Sequence, residues 1–414
     1  MNNHIARETR FSAANYQPLP VVLSRGEGAY LWDVEGRRYL DLMGAYSAVS
    51  LGHSHPRLLR VLTEQAGLLA VCSRAFYTDK LGAFLERACQ LTNMEKALPM
   101  NTGAEAVETA LKAARKWGYQ VKGIATDRAE IIVCGGNFHG RTIAIVGMSS
   151  EQQYRNGFGP FPGGFKQIPF GNADALAQAI TPNTAAFLVE PIQGEAGIIV
   201  PPAGYLKACE KLCHEHNVLL ICDEIQTGLG RTGKLLASEY DQVQPDGLIL
   251  GKALGGGLLP VSLFLSRREV MDVFTPGDHG STFGGNPLAS AVGLETLTVL
   301  LNENLILKSE QLGKYLIDRL RAMDSPMIRE VRGRGLFVGI EIDSDLATAR
   351  EVCEALALRG LLSKETHGTV VRVAPPLIIT RDQIDTALHG IERVLGEMYQ
   401  SLHSSFYRRS RNHG

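Results

Sequence analysis

The sequence predicts an α/β fold, with a large domain built on a mostly parallel sheet that helices cover and a smaller α+β domain. Short apolar runs alternate with segments in which apolar residues recur at helical spacing, and this alternation is typical of parallel sheets. Glycines and polar residues bound the runs, as they bound buried strands. The runs predicted as strands of this sheet are Glu130–Cys134, Phe187–Glu190, the run ending at Asp223, Gly247–Leu250 and Val261–Leu265.

The composition indicates a folded protein with more than one structural unit. The chain has 414 residues, of which 45% are hydrophobic and 21% are charged, and disordered chains are poorer in apolar residues. Its formal net charge of -1 leaves no excess of lysine and arginine, which argues against nucleic-acid binding. No apolar run is long enough to span a membrane, and the first residues lack the apolar core of a signal peptide. We therefore expect a cytoplasmic protein that does not bind membranes.

The cysteines suit a reducing compartment, because the seven of them follow no regular framework. Cys209, Cys213, His214 and His216 lie close together in sequence, as metal ligands do. However, their segment reads as a helix that leads into a strand, and no second pair of ligands at zinc-site spacing accompanies it. We expect packing cysteines here and no metal.

Four regions are expected along the chain. Residues 1–45 contain two apolar and aromatic runs with glycine turns, which predict a small antiparallel sheet that packs with the smaller domain. Residues 46–295 form the large domain, and residues 296–398 form the smaller α+β domain. The basic, serine-rich residues 399–414 are expected to be a disordered tail.

A lysine and an aspartate stand at the ends of two predicted strands. Lys252 follows the run Gly247–Leu250 and precedes a glycine cluster, and Asp223 ends another run. Ligands of open α/β sheets bind at the carboxyl edge of the strands, so the amine and the carboxylate are expected to face one crevice. Pyridoxal phosphate chemistry uses such a pair: the lysine forms a Schiff base, and the carboxylate keeps the pyridine nitrogen protonated. Either residue alone is commonly structural, and the pair is what favours the cofactor.

A helix is predicted to begin at Thr102, because Thr102 and Glu105 form a capping-box pattern and apolar residues then recur at helical spacing. The small residues Gly103 and Ala104 leave the first amide N–H groups open. Together with the helix dipole, these groups suit an anion such as the phosphate of pyridoxal phosphate. A capping box alone is structural, so this prediction depends on the lysine and aspartate pair.

Several motifs together resemble the class III (subgroup II) pyridoxal phosphate aminotransferases of fold type I. The resemblance runs from about Tyr16 to about Leu395, and it implies a seven-stranded, mostly parallel sheet in the large domain. The segments that carry it, in order, are TGAEAVETALKAAR, GNFHGRT, VEPIQGEAG, DEIQTGLGRTG, LGKALGGGLLPVS and GSTFGGNPLA.

The resemblance implies the roles of the residues that bind the cofactor. Lys252 is implied as the Schiff-base lysine and proton carrier, and Asp223 as the partner of the pyridine nitrogen. Ser281 and Thr282 are implied to reach the phosphate of a neighbouring subunit, which makes the protein at least a homodimer with shared sites. The remaining cofactor-binding residues implied are Gly103 and Ala104 at the phosphate, Phe138 and Ile225 on the two ring faces, and Gln226 at the phenolic oxygen.

Within the class, the chain resembles most the members that use L-ornithine, chiefly through Tyr16 and Tyr46. This resemblance implies that Arg372 binds the carboxylate nearest the ring and that Glu195 masks Arg372 when ornithine binds. Arg141 is implied to hold the distal carboxylate of glutamate or 2-oxoglutarate. An arginine without a partner in a closed site costs several kcal/mol, so a carboxylate should pair with it when substrate does not.

The implied activity is transfer of the δ-amino group of L-ornithine to a 2-oxo acid, 2-oxoglutarate. The products would be glutamate 5-semialdehyde, which cyclises to pyrroline-5-carboxylate, and L-glutamate. Another ω-aminotransferase of the class, acting on N-acetylornithine, 4-aminobutyrate or lysine, is an alternative. A racemase or aminomutase of the same fold is a further alternative, because such enzymes need no second oxo-acid substrate.

Overall fold

The structure is a computed structural model that describes the backbone of residues 3–411 and the side chains of residues 3–402. The helices are α1 Asn3–Phe11, α2 Gly44–Ser47, α3 Pro56–Leu68, α4 Leu81–Thr92, α5 Gly103–Trp117, α6 Ile143–Gly147, α7 Gln152–Arg155, α8 Ala173–Ala179, α9 Tyr205–Glu215, α10 Arg268–Met271, α11 Pro287–Asn302, α12 Leu305–Arg321, α13 Ala349–Leu358 and α14 Arg381–Arg411. The strands are β1 Leu23–Glu27, β2 Tyr30–Asp33, β3 Arg38–Asp41, β4 Lys96–Met100, β5 Glu130–Cys134, β6 Phe165–Ile168, β7 Thr184–Val189, β8 Leu219–Asp223, β9 Gly247–Leu250, β10 Ser262–Ser266, β11 Ile328–Arg334, β12 Phe337–Ile342, β13 Leu361–Leu362, β14 Lys364–Thr366 and β15 Val370–Val373.

The central sheet has seven strands in the order β4-β10-β9-β8-β7-β5-β6, which confirms the predicted fold class. Neighbours from β9 to β6 pair in parallel, and β10 is antiparallel to both β9 and β4. Two of the strands, β4 and β6, are not among the apolar runs. Pro99 interrupts β4, and Lys166 and Gln167 interrupt β6, so neither strand has the continuous apolar character of β7 or β9.

Helix α5 covers one face of the sheet and begins at the carboxyl edge of the strands. Its buried side chains recur at helical spacing and pack on Ile131, Ile221 and Phe264 of the sheet. The Thr102 hydroxyl accepts a hydrogen bond from the Glu105 N–H at 3.2 Å, and the Glu105 carboxylate accepts one from the Thr102 N–H at 2.7 Å. The predicted capping box is therefore present, and it fixes where the helix begins.

Two smaller sheets flank the central one. In the first, β1, β2 and β3 form an antiparallel meander, and β13 from the C-terminal region joins it in parallel beside β3. In the second, the order is β11-β12-β15-β14, with every neighbouring pair antiparallel. The pairing of β3 with β13 links the N-terminal segment to the C-terminal part of the chain through backbone hydrogen bonds.

The two terminal regions differ from the expectations. Helix α1 has no counterpart in the sequence analysis, and none of its residues is buried. Helix α14 continues past Tyr399, where a disordered tail was expected, and ends at Arg411. No proline or glycine interrupts residues 399–411, so nothing in the local sequence stops the helix; residues 412–414 lie outside the described part.

The cysteines of α9 pack inside the protein. Cys209 and Cys213 are fully buried in the hydrophobic core, and all seven cysteines are unpaired thiols. Within the described residues, no group of three or more potential ligands could hold a metal ion. In the same part of the chain, no helix is long and apolar enough to cross a membrane.

Candidate active site

The carboxyl ends of β5, β7, β8 and β9 and the start of α5 enclose a cavity of about 180 Å³. At the end of each of these strands, at least one residue lines the cavity. The residues that line the cavity are Gly103, Ala104, Phe138, His139, Gly140, Glu190, Ile192, Asp223, Ile225, Gln226, Thr227 and Lys252. Seven of the predicted cofactor-binding residues therefore lie in one place, although they come from four distant stretches of sequence.

Lys252 lies in a 3-10 turn directly after β9, with φ at 42°. A positive φ is uncommon for a residue with a side chain, and such backbone strain concentrates at functional sites. Its amine makes no hydrogen bond or ion pair with any described residue, although Glu195, Asp223 and Glu190 are near enough to act on it electrostatically. Burial, together with the charge of Arg372, lowers the pKa of Lys252. A buried, unpaired amine with a lowered pKa is suited to act as a nucleophile or a base.

Asp223, the last residue of β8, is buried and held by two donors. Its Oδ1 accepts a hydrogen bond from the Ile225 N–H at 3.0 Å, and its Oδ2 lies 2.7 Å from His139 Nδ1. Burial alone would lower the pKa of His139, but the Asp223 carboxylate raises it overall. The Nε2 of His139 is buried and has no partner. His139 thus orients Asp223 within the cavity, a role that the sequence analysis did not identify.

Glu190, at the end of β7, holds the loop that carries Phe138. Its carboxylate accepts hydrogen bonds from the Phe138 N–H at 2.8 Å and from the Gly194 N–H at 3.3 Å. Burial raises the pKa of Glu190 to about 7. The position of Phe138 in the cavity wall is therefore fixed by a carboxylate that the sequence analysis placed only at a strand end.

Gly103, the first residue of α5, lies against Ile225. A Cβ atom at Gly103 would come within 2.8 Å of Ile225 Cδ1, a distance that real Cβ atoms do not show. A side chain at this position would therefore displace the Ile225 side chain, and glycine lets the helix pack directly against it. As a result, the first amide groups of α5, at Gly103 and Ala104, open into the same cavity as Lys252.

An ion pair between a buried arginine and a largely buried glutamate lies beside this cavity. Arg372 on β15 is 1% exposed, and its Nη1 donates to Glu195 Oε1 at 3.0 Å. Gln226 Nε2 also donates to Glu195 Oε1, at 3.2 Å. Burial alone would raise the pKa of Glu195, but Arg372 outweighs it and lowers the pKa to about 2. Glu195 is thus a carboxylate that stays ionised beside Lys252, and Gln226 is tied to this pair.

Tyr46 stacks near the same arginine, whose guanidinium carbon lies 5.4 Å from the ring centroid. The turn that carries it, α2, is wound in the left-handed sense, with φ 48° at Ala45 and φ 58° at Tyr46. Burial and the charge of Glu195 raise the pKa of Tyr46, and Tyr16 contributes to the same rise. Tyr16 itself is 73% exposed in this chain and lies with the N-terminal segment.

Arg141 lies at the other side of the site. Its guanidinium carbon is 4.1 Å from the ring centroid of Tyr154 and 5.3 Å from that of Phe138. It forms no ion pair with a described residue, so its charge is available to an anion. Aromatic rings on one side of the guanidinium hold it in place, and Tyr154 also hydrogen-bonds it, while further N–H donors remain for an anion.

The family model for class III aminotransferases matches residues 11–395. The chain belongs to the class III aminotransferases. Among curated relatives, the ornithine aminotransferase of an Exiguobacterium species is 58% identical over 386 residues, which cover 93% of this chain and 96% of the relative.

Two solved structures show how close the fold is to known aminotransferases. The ornithine aminotransferase of Toxoplasma gondii, described with partial occupancy of pyridoxal phosphate at its active site, has a TM-score of 0.94 and 46% identity. The match covers 96% of this chain and 95% of that one. The acetylornithine aminotransferase of Elizabethkingia anophelis has a TM-score of 0.86 and 48% identity, over 95% of this chain and 98% of that one.

Ser281 and Thr282 of this class III aminotransferase do not line the cavity of their own chain. They follow α10 in the loop that leads to α11. Ser281 Oγ accepts hydrogen bonds from Asn101 Nδ2 at 2.8 Å and from the Gly284 N–H at 3.1 Å. Thr282 is exposed and makes no hydrogen bond with a described residue. Of the two hydroxyl groups, that of Thr282 is therefore the one open to a second molecule.

The cavity fits pyridoxal phosphate by its set of functional groups. It offers an unpaired amine at Lys252, a carboxylate fixed at Asp223, and open amide groups at the start of α5. Phe138 and Ile225 supply apolar wall on which an aromatic ring can lie. These are the groups that a cofactor with an aldehyde, a pyridine nitrogen and a phosphate requires.

Proposed function

We propose that this chain is a pyridoxal-phosphate-dependent aminotransferase that moves the δ-amino group of L-ornithine to 2-oxoglutarate. The observation that carries this proposal is the buried Glu195–Arg372 pair beside the free amine of Lys252. The relative at 58% identity, which is named ornithine aminotransferase, supports it. The products are L-glutamate 5-semialdehyde, which cyclises to pyrroline-5-carboxylate, and L-glutamate; this chemistry connects arginine breakdown with proline synthesis.

In this proposal, the cavity residues hold the cofactor. Lys252 would bind its aldehyde, Asp223 would pair with the pyridine nitrogen, and Gly103 and Ala104 would donate backbone N–H groups to the phosphate. Phe138 and Ile225 would pack on the aromatic ring, and Gln226 would hydrogen-bond the phenolic oxygen. When bound, the cofactor withdraws electrons from the carbon that carries the amino group and so makes its proton acidic.

Lys252 carries the proton in this reaction. Burial lowers the pKa of its amine, and this shift favours the neutral form that can accept a proton. The fixed carboxylate of Asp223 favours a protonated pyridine nitrogen, because it is negatively charged and held in place by Ile225 and His139. Since both groups are set by the ends of adjacent strands, the protein aligns them without rearrangement.

Glu195 and Arg372 let one site accept two different amino donors. Ornithine presents its distal amine, and the carbon that bears this amine carries no carboxylate. Glu195 therefore stays paired with Arg372 and neutralises the charge of the arginine. Glutamate presents its α-amine and brings a carboxylate, which takes the place of Glu195 on Arg372. Arg141 binds the distal carboxylate of glutamate or 2-oxoglutarate, and Tyr16 and Tyr46 bind the α-amino acid end of ornithine.

We also propose that the protein is a cytoplasmic homodimer with shared sites. Thr282, with Ser281 beside it, reaches the phosphate of the second subunit. The exposure of Thr282 and the hydrogen bonds that hold Ser281 support this placement.

N-acetylornithine is a second candidate substrate. The reason is the acetylornithine aminotransferase of Elizabethkingia anophelis, which is 48% identical to this chain. The two substrates share the distal amine and differ at the α-amino group, which is charged in ornithine and acylated in N-acetylornithine. The residues that decide between them are therefore those at the far end of the site, Tyr16 and Tyr46.

A single half-reaction without oxo acid tests the proposal. The purified protein with bound cofactor is mixed with L-ornithine or, separately, with N-acetylornithine, and its yellow absorbance is followed. Loss of this absorbance with ornithine, at a rate at least about ten-fold above that with N-acetylornithine, is the expected result. The opposite preference would keep the chemistry and overturn the substrate, and a wild-type protein without yellow absorbance would overturn the proposed function.

A further inference from the structure

One face of helix α5 binds the loop between α10 and α11 through hydrogen bonds and an ion pair. The hydroxyl of Thr109 lies 2.8 Å from His279 Nε2, and Lys112 Nζ lies 3.0 Å from His279 Nδ1. Lys112 Nζ also donates to the Asp278 carbonyl oxygen at 2.9 Å. One turn further along the helix, Lys116 forms an ion pair with the Asp278 carboxylate. Three residues of α5, spaced three or four apart, thus hold two consecutive residues of the loop.

The hydrogen bonds of His279 define its protonation. Thr109 Oγ1 donates its own hydrogen to the Glu105 carbonyl oxygen at 2.7 Å, so it accepts a hydrogen bond from His279 Nε2–H. Lys112 has only donors, so His279 Nδ1 must accept. His279 is therefore neutral and carries its proton on Nε2. Burial, and next the charge of Lys112, lowers the pKa of His279, in agreement with this state.

Further contacts of the same two residues order the rest of the loop. The ring of His279 stacks on that of Phe274, with centroids 5.9 Å apart and planes inclined by 22°. The Asp278 carboxylate accepts hydrogen bonds from the Thr275 N–H at 2.6 Å and from its hydroxyl at 2.9 Å. Hydrogen bonds between Asp278 and Thr275 thus hold the first part of the loop, and His279 binds the loop to α5.

The far end of the loop is tied to the first turn of the same helix. Asn101, which donates to Ser281, also donates its backbone N–H to the Glu105 carboxylate of the capping box at 3.0 Å. Between these two attachments, Thr282 is exposed. Helix α5 therefore fixes the backbone on both sides of a residue whose exposed hydroxyl makes no hydrogen bond with the described part of the chain.

We infer that His279 is a positioning residue that holds Thr282 in place to bind the cofactor phosphate of a second copy of this chain. Helix α5 then serves both phosphate sites of the dimer: its first amides bind the phosphate of its own subunit, and its middle fixes the loop that reaches the other. This inference rests on the proposed role of Thr282. It adds that the network of Thr109, Lys112 and His279 sets cofactor affinity across the subunit boundary.

The first test is His279→Ala. The dissociation constant for pyridoxal phosphate should rise by at least about ten-fold, because one hydrogen bond to a charged phosphate is lost or misdirected. His279→Gln, which restores an N–H donor near Thr109, should recover part of the affinity. The matched control is His389→Ala on the exposed face of α14, which should leave affinity unchanged.

Thermal unfolding separates positioning from a structural role. Cofactor that binds only the folded protein raises its melting temperature, and at a fixed cofactor concentration the increase grows with the logarithm of its affinity. For His279→Ala, the melting temperature without cofactor should stay close to that of the wild type, and the increase produced by cofactor should be smaller. Equal lowering with and without cofactor, at unchanged affinity, would overturn the inference.

Hybrid dimers test which subunit His279 serves. Yellow absorbance reports only sites that contain Lys252, so each hybrid carries Lys252→Ala in one subunit. When His279→Ala is in the other subunit, the surviving site is served by an intact loop, and its cofactor affinity should match that of the same hybrid without the His279 substitution. When both substitutions are in one subunit, the surviving site is served by the altered loop, and its affinity should fall.

The reverse order, or equal affinities, would overturn the inference while leaving the proposed function intact. A wild-type protein that has no yellow absorbance would instead overturn the proposed function, and this inference with it.

Discussion

At the scale of single residues, the site is built from side chains in states that are rare elsewhere in proteins. Lys252 combines a positive φ with a buried amine that no described residue pairs. Glu195 is held ionised by a fully buried arginine. Such states cost stability, and they persist because the surrounding strands and loops fix them.

Replacement of Lys252 by alanine should abolish turnover and leave the fold intact. The amine makes no hydrogen bond or ion pair with a described residue, so its removal breaks none, whereas the loss of the proton carrier should lower kcat by at least about 10³-fold. Steady-state kinetics and the melting temperature check this. Lys234→Ala, which removes an exposed amine paired with Glu310, is the control and should keep normal kcat. Turnover of Lys252→Ala within ten-fold of the wild type would contradict the assignment.

The Glu195–Arg372 pair should make stability depend on pH in the acid range. The pKa of Glu195 is lowered from an ordinary 4.5 to about 2, so the folded protein holds its proton less tightly than the unfolded chain. The stabilisation is complete above about pH 5 and is lost as pH falls towards 2, by on the order of 3 kcal/mol. In Glu195→Gln this part of the pH dependence should be absent.

Urea unfolding of the wild type and Glu195→Gln at several pH values from 7 to 3 measures this difference. Glu64→Gln removes an exposed carboxylate on α3 and should retain the full wild-type pH dependence. Parallel curves for the wild type and Glu195→Gln would show that Arg372 does not hold Glu195 ionised.

At the scale of elements, α5 has two functions, and its sequence indicates only the first of them. Its capping box and apolar spacing are visible in the sequence, and they predict where it begins and which face is buried. The face with Thr109, Lys112 and Lys116 reads as an ordinary polar surface. Only the fold brings the loop with Asp278 and His279 against it, more than 160 residues further along the chain.

Removal of the cap of α5 by Thr102→Ala should lower both stability and cofactor affinity. The threonine hydroxyl accepts the Glu105 N–H, and loss of a cap costs about 1 kcal/mol. The first turn also presents the amides of Gly103 and Ala104, so its fraying should weaken binding of pyridoxal phosphate. Melting temperature and cofactor titration measure the two effects.

The chain offers a matched control in α13, where Thr348 and Glu351 form a second capping box. Thr348→Ala should cost a similar amount of stability and leave cofactor affinity unchanged, because α13 does not border the cavity. A loss of affinity of the same size in both variants would mean that α5 has no specific part in binding the phosphate.

At the scale of the whole molecule, a buried arginine joins segments that are far apart in sequence. Arg231 Nη1 donates to the carbonyl oxygens of Leu336 at 3.0 Å and Pro375 at 2.6 Å, and its Nη2 donates to Ser50 Oγ at 3.0 Å. Its side chain is fully buried. The loop after β8 is thereby bound to the N-terminal part and to the C-terminal sheet region, next to the strand that carries Arg372.

Arg231→Met should therefore destabilise the protein by about 3–5 kcal/mol, since three buried acceptors lose their donor. The midpoint of urea unfolding measures the loss. Arg60→Met, at an exposed position of α3, should change stability by less than about 0.5 kcal/mol. A small effect of Arg231→Met would mean that the three segments are held together by apolar packing alone.

The sequence by itself determined the sheet class, the start of α5 and the strand ends that carry Asp223 and Lys252. These features depend on local patterns: an apolar run, a capping box and a glycine cluster are complete within a few residues. The motifs of the family then gave the expected cofactor and substrate residues. The structure places seven of these residues in one cavity, and it places Glu195 on Arg372.

The tertiary structure alone decided the contacts between distant residues. No local pattern predicts three of these contacts: His139 with Asp223, Glu190 with the Phe138 loop, and His279 with α5. Strands β4 and β6 belong with them, because their pairing partners, and not their own composition, make them strands. The physical reason is the same in each case: periodicity and turn chemistry act over a few residues, whereas burial and hydrogen bonding depend on which elements the fold brings together.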